Sequence, residues 1–219
     1  MARATETGGT GSPSEWPIAI AASCLAGFVD ALGFLASKGF FVSFMSGNST
    51  QLGVEIAGGA MLALVPVALV LAFVAGALSG ALVGRRSGTR RRPVVLTLVA
   101  AVLAAAALSA WQGANALALV AMAAAMGAEN AAFETNGEVK IAVTYMTGTL
   151  VKVGQRIADA LGGGKRWAWL PYVGLWAGMV VGAAGGALLH PRLGLAGLWP
   201  AVAGAAGLAA WSAAAAARG

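Results

Sequence analysis

Six apolar runs, at about residues 16–37, 61–84, 93–111, 114–133, 167–189 and 194–216, approach the roughly 20 residues a helix needs to cross the hydrocarbon of a bilayer. Nothing in lipid can satisfy backbone N–H and C=O groups, so runs of this length commit the chain to helices that bond internally. The chain has 219 residues, is 59% hydrophobic and only 10% charged, a balance that belongs to the bilayer class. The expected fold is therefore an all-α polytopic membrane protein, and a soluble enzyme is excluded.

The formal charge of +6 raises nucleic acid as a partner, but five of the 14 basic residues are Arg85, Arg86, Arg90, Arg91 and Arg92. A short arginine-rich loop between apolar runs is the mark of a cytoplasmic connection, and no nucleic-acid partner is expected. Residues 1–15 are polar and rich in Gly, Ser and Thr, and read as a disordered cytoplasmic tail. The first apolar run is too long for a signal peptide and has no charged segment directly before it. A single cysteine, Cys24, excludes an intramolecular disulfide and reads as packing filler.

Two further stretches, at about 39–59 and 141–161, are apolar enough to enter the membrane but carry polar residues near their middles. They also reveal an internal repeat. Met45-Ser46-Gly47-Asn48 falls on Met146-Thr147-Gly148-Thr149 at an offset of 101. Gly27, Asp30 and Ala31 fall on Gly127, Asn130 and Ala131 at 100, Pro66 on Pro171 at 105, and Ala110-Trp111 on Ala210-Trp211 at 100. The ordered set predicts a duplicated unit of span, broken stretch, span and span, first in residues 16–111 and again in 112–219.

Topology turns on the broken stretches. If each dips in and returns, a unit crosses three times and the two copies insert in opposite orientations. The inside then receives Arg3, the five-arginine loop, Lys140, Lys165, Arg166 and Arg218, ten in all, against Lys38 and Arg192 outside. Eight full crossings place eight inside and four outside. The positive-inside rule prefers the first: six transmembrane helices plus two short re-entrant or broken helices in two inverted repeats, with a cytoplasmic N-terminus in a bacterial inner membrane.

Ser46-Gly47-Asn48 and Thr147-Gly148-Thr149 read as helix breaks at membrane depth, tolerated only in protein or beside a wet cavity. Asn48 with Gln51 resembles a capping box, and Thr149 holds the matching cap position. Two short helices entering from opposite faces aim their N-terminal amides at the centre, which suits an anion or a carbonyl-bearing solute. The alternative is a pair of glycine bends at helix contacts. Gln51 and Glu55 share one helix face, with Lys152 and Arg156 at the equivalent positions, so Glu55 pairing with Arg156 or Lys152 is expected as a gate or as a structural ion pair. Asp30, and Glu129 with Asn130 at the matching place, are candidates for proton coupling or for interhelical bonding. Glu134, Glu138 and Lys140 surround Asn136-Gly137 and read as a solvated turn.

Gly76, Gly80 and Gly84, and Gly174, Gly178, Gly182 and Gly186, recur every fourth residue and predict seams where helix backbones approach closely. The tryptophans cluster at span ends, as in an aromatic belt, and the lone His190 reads as a surface residue. There is no Walker loop, no Cys or His metal cluster and no nucleophile–histidine pairing, so no catalytic residue, metal or cofactor is expected.

Gly27-Phe28-Val29-Asp30-Ala31-Leu32-Gly33-Phe34, Met45-Ser46-Gly47-Asn48, Met126-Gly127-Ala128-Glu129-Asn130-Ala131 and Thr144-Tyr145-Met146-Thr147-Gly148-Thr149-Leu150 together resemble the YoaK-like bacterial integral membrane proteins. The likeness covers nearly the whole chain after the tail and implies a membrane protein of a family with no assigned substrate, except that Glu129 replaces an expected glutamine. Taken together, the residues favour a small-solute transporter or permease, with the proton as a candidate coupling ion. Its substrate site is expected at Asn48, Thr50, Gln51, Thr147, Thr149, Asp30 and Asn130, with Glu55, Lys152 and Arg156 as the gate. A channel and a non-transporting scaffold are the rivals, and a homo-oligomer is left open.

Overall fold

A computed structural model describes residues 15–58, 63–135, 138, 139 and 141–217. The predicted tail apart from Glu15, and Asn136, Gly137, Lys140 and Arg218, lie outside the described residues. The fold is all-helical: α1 (Trp16–Ser37), α2 (Met45–Ala57), α3 (Leu64–Arg86), α4 (Arg91–Trp111), α5 (Asn115–Asn130), α6 (Met146–Leu161), α7 (Leu170–Leu193) and α8 (Leu198–Ala216). A two-residue hairpin, β1 (Glu134–Thr135) and β2 (Glu138–Val139), is the only strand structure among the described residues.

By length and apolarity five helical stretches suffice to cross a membrane, the last being the 47-residue stretch Leu170–Ala216. A straight helix of that length would extend about 70 Å, more than twice the hydrocarbon thickness. The stretch is divided at Gly194, whose positive φ of 53° opens a short 3-10 turn between α7 and α8. Gly178 and Gly186 of α7 lie against Ile20 and Phe28 of α1, so these two helices are parallel; Gly197 and Gly204 lie against Leu32 and Leu25, so α8 runs back. Six long helices result, as the apolar runs predicted.

Two glycine seams organise the packing. Gly27 of α1 faces Met179 and Ala183 of α7, while Gly182 and Gly186 face Cys24 and Phe28 in return. In the other half Gly127 of α5 faces Phe73 and Ala77 of α3, while Gly76 and Gly80 face Ala124 and Ala128. Every residue of the first seam maps onto the second, at an offset of 100 in α1 and α5 and of 106 in α3 and α7. The glycines thus correct by one residue the alignment that Pro66 and Pro171 suggested. Without a Cβ at these points the backbones close to direct contact, the main source of attraction between helices already surrounded by apolar lipid.

The broken stretches return to the face they leave. After Ser37 the chain reverses at Lys38 (φ 60°) and Gly39 (φ 128°) and descends beside α1. There the N–H groups of Val42 and Ser43 donate to Asp30 Oδ1 at 2.8 and 2.7 Å. Asp30 lies seven residues, about 10 Å, below the end of α1. Helix α2 then climbs back, because Gln51 Nε2 donates to the carbonyl of Gly39 at 2.7 Å. In the second half Thr144 exchanges hydrogen bonds with Asn130 at 3.0–3.1 Å and Ser23 Oγ donates to Val143 O at 3.1 Å. Helix α6 then rises until Lys152 stands 5.8 Å over the ring of Tyr172, near the start of α7 and against Trp16. At 13 and 16 residues, α2 and α6 are about 20 and 24 Å long, too short to cross, whereas α5 is carried on by the 3-10 turn Ala131–Phe133 to a stretch of 19 residues.

The two halves meet at α1 and α5. Gly33, late in α1, packs against Met122, midway along α5, whereas Ser23, early in α1, reaches Val143 beside Asn130, at the end of α5. The pair is therefore antiparallel. Val42 and Val143, at equivalent places in the two descending segments, are fully buried with Val29, Leu32, Met122 and Met126.

Candidate functional site

Asn48 and Gln51, singled out in the first broken stretch, hold that stretch in place. Asn48 is fully buried; its Nδ2 donates to Phe41 O at 2.6 Å and its Oδ1 accepts from Phe41 N at 2.9 Å. Thr149 is buried with its hydroxyl on Tyr145 O at 3.1 Å, and the exposed Thr50 donates to Ser46 O at 3.1 Å. Thr147 is exposed. Asp30 and Asn130 act as the anchors already described. Neither expected helix cap forms. Helix α2 starts at Met45 and α6 at Met146, with Phe44 and Tyr145 at the cap positions, so Asn48 and Thr149 fall inside the first turn. Their side chains turn back to the preceding chain because the descending backbone supplies donors and acceptors that no water reaches.

The expected central gate requires Glu55 to pair with Arg156 or Lys152, and among the described residues it pairs with neither. Helix α2 packs on α3 and α6 on α7. Arg156 pairs with Asp159 one turn along its own helix at 3.2 Å, and Lys152 lies on Tyr172. No ion pair involves Glu55 among the described residues. Equivalent register put Glu55 and Arg156 in corresponding places, but correspondence in a repeat does not bring the two helices into contact.

Charge is instead concentrated at one face, where α1, α4 and α7 begin and α3 and α5 end. Glu134, read from sequence as part of a solvated turn, is buried. Its Oε1 lies 2.8 Å from Arg91 Nη2 and 3.8 Å from Arg85 Nε, while Arg91 Nε donates to Ala131 O at 3.1 Å. Arg92 binds Glu15 and sits 5.1 Å over the ring of Phe133. The arginine loop, expected to serve orientation alone, thus ties the starts of α1 and α4 to the end of α5. The opposite face holds a vestibule of about 520 Å³, lined by Leu35 and Ala36 of α1, Ala107 and Trp111 of α4, Asn115, His190, and Leu195 and Trp199 around the α7–α8 turn among others. A second hollow, about 390 Å³, is an apolar groove between α1 and α8 that includes Cys24 and Trp211. Neither touches residues 46–51 or 147–152.

Glu129 stands apart from all of these. It is fully buried, on the face of α5 that also carries Met122 and Met126, and neither carboxyl oxygen has a hydrogen-bond partner. At the equivalent position α1 carries Val29, also fully buried.

Residues 18–211 match the family described as protein of unknown function DUF1275. The chain is 36% identical over 180 residues to UPF0700 transmembrane protein RA0705 of Rhizobium meliloti (strain 1021), covering 82% of this chain and 77% of that protein. No solved structure matches.

Proposed function

The chain belongs to the DUF1275 family of multi-pass membrane proteins of unknown function, and from that premise we propose that it is a small-solute permease of the bacterial inner membrane built from two inverted repeats. The observation that carries this reading is the inequality of its two faces. One is tied by Arg91, Arg85 and Glu134 and by Arg92 and Glu15, and the other opens into the 520 Å³ vestibule. Phe34 stands where Glu134 stands in the second half, next to Leu35 and Ala36 in the vestibule wall. Paired inverted units with one face closed and the other open are what alternating access requires. The antiparallel α1–α5 contact and the two matching glycine seams support the inverted repeat. In this reading the basic face is cytoplasmic.

The scaffold alternative drew on the glycine seams, and those seams are consumed inside one protomer. The bonded state of Asn48, Thr149, Asp30 and Asn130 moves solute entry from the tips of the short helices to the vestibule. Those residues then hold the re-entrant segments that shift during the cycle.

The test is uptake into proteoliposomes of radiolabelled amino acids, sugars and carboxylic acids by a Cys24→Ser protein carrying Ala36→Cys or Ala107→Cys in the vestibule. Saturable uptake of at least one solute is expected, blocked when a bulky maleimide is attached from the vestibule side. No saturable uptake, or uptake indifferent to that label at both sites, refutes the reading.

A further inference from the structure

We propose that Glu129 is a proton-binding site that couples the permease to the proton gradient, taking up one proton from water at one face and releasing it at the other. The inference rests on the permease reading. Its basis is a carboxyl group that does no structural work in the conformation described. Glu129 is 0% exposed, and both its oxygens lack partners. The hydrogen bonds that anchor the neighbouring segment go to Asn130 and Ser23. The equivalent place in the first half is filled by Val29, so packing there needs only an apolar side chain.

No fixed countercharge is available to it among the described residues either. The elements packed against α5 are α1, α3, α4 and the turn 131–133. Helix α3 carries no titratable side chain before Arg85, and α4 none after Arg92. Arg85 and Arg91 are committed to Glu134, and Arg92 to Glu15. Helix α1 offers Cys24 and Asp30, and Asp30 accepts from Val42 and Ser43. A carboxyl in such surroundings holds its proton from one aqueous exposure to the next, because ionising it there leaves a charge with neither water nor partner. Since Glu129 lies only five residues before Glu134, release of the Arg91–Glu134 tie is the movement that brings water to it.

Infrared difference spectroscopy on a pH step reads the carboxylic-acid C=O band directly and needs no transported solute. The band is expected in the wild type and in Asp30→Asn, whose amide oxygen still accepts from Val42 and Ser43. It should be lost in Glu129→Gln and in Glu129→Val, which copies the other half and guards against misfolding of the first variant. In parallel, an inward proton gradient should stimulate uptake of the labelled panel by the wild type and leave Glu129→Gln unstimulated. A band that survives in both Glu129 variants, or uptake by Glu129→Gln that keeps its response to the gradient, overturns the proposal. Loss of the band on mutation without uptake of any solute by the wild type supports the proton site and removes the permease reading.

Discussion

Adding one methyl group to either glycine seam should destabilise the protein by the same amount, although the two seams join different helices. A Cβ at Gly127 would stand 2.8 Å from the carbonyl carbon of Phe73 and 3.0 Å from Ala77 N, with Phe73 O closer still. At Gly27 it would stand 2.9 Å from the carbonyl carbon of Met179 and 3.1 Å from Ala183 N, with Met179 O closer. Non-bonded carbons rest at about 3.5–4.0 Å, so the helices must part by close to 1 Å, forfeiting dispersion along the whole contact. The neighbours are backbone and cannot rotate away, which puts Gly27→Ala and Gly127→Ala each in the overpacking range of about 1–3 kcal/mol. For a chain of this size that corresponds to roughly 2–12 °C in Tm, using the scale of soluble domains. Gly207→Ala in α8 is the control: its Cβ meets nothing within 4 Å, and helix propensity favours alanine by up to about 1 kcal/mol. Thermal denaturation in detergent, followed by size exclusion, compares the three. If Gly127→Ala melts with Gly207→Ala, the seams are not close contacts and the packing described here is wrong.

Asp30→Ala leaves the N–H groups of Val42 and Ser43 buried without an acceptor and should cost about 2–6 kcal/mol, against much less for Asp30→Asn, in the same melting assay. Arg91→Ala strands the buried Glu134 carboxylate and should destabilise by about 3–5 kcal/mol; if the two form one unit, adding Glu134→Ala recovers most of the loss, and additive losses would refute the pairing. In a Cys24→Ser background, Ser37→Cys and Gly163→Cys should react with an impermeant maleimide from opposite faces of oriented vesicles. Reaction of both from one side would contradict the re-entrant path.

The features legible in the sequence were those that lipid alone enforces. Run length placed all six long helices, and the offset of 101 between Met45-Ser46-Gly47-Asn48 and Met146-Thr147-Gly148-Thr149 located two equivalent short helices, each of which begins before the cap expected at Asn48 or Thr149. The destination of a polar group was not legible. Asn48 reads alike whether it lines a wet cavity or bonds Phe41, because both satisfy the same need in lipid, and only the fold of residues 38–44 decides between them. Glu134 was misread because the sequence Asn136-Gly137 beside it reads as a turn while its partner Arg91 lies 43 residues upstream. Glu55 and Arg156 failed as a pair for a related reason: the repeat relates their helices without joining them. One signal for Glu129 was available, namely a carboxylate placed where the first half has valine.

The inverted repeat proposed above also accounts for the difference in chemistry between the two faces. Copies inserted in opposite orientations present corresponding loops to opposite compartments, so the positive-inside rule acts on them with opposite sign. The α3–α4 loop region carries Arg85, Arg86, Arg90, Arg91 and Arg92, whereas the α7–α8 turn has Arg192 alone. The same divergence decides which face can be tied by ion pairs, since Arg91 and Arg92 find Glu134 and Glu15 there, and Phe34 replaces the glutamate at the opposite end. Arg86 and Arg90 form no ion pair among the described residues and are exposed, which leaves them to orientation. In the proposed permease, one loop thus serves both orientation in the membrane and the tying of one face.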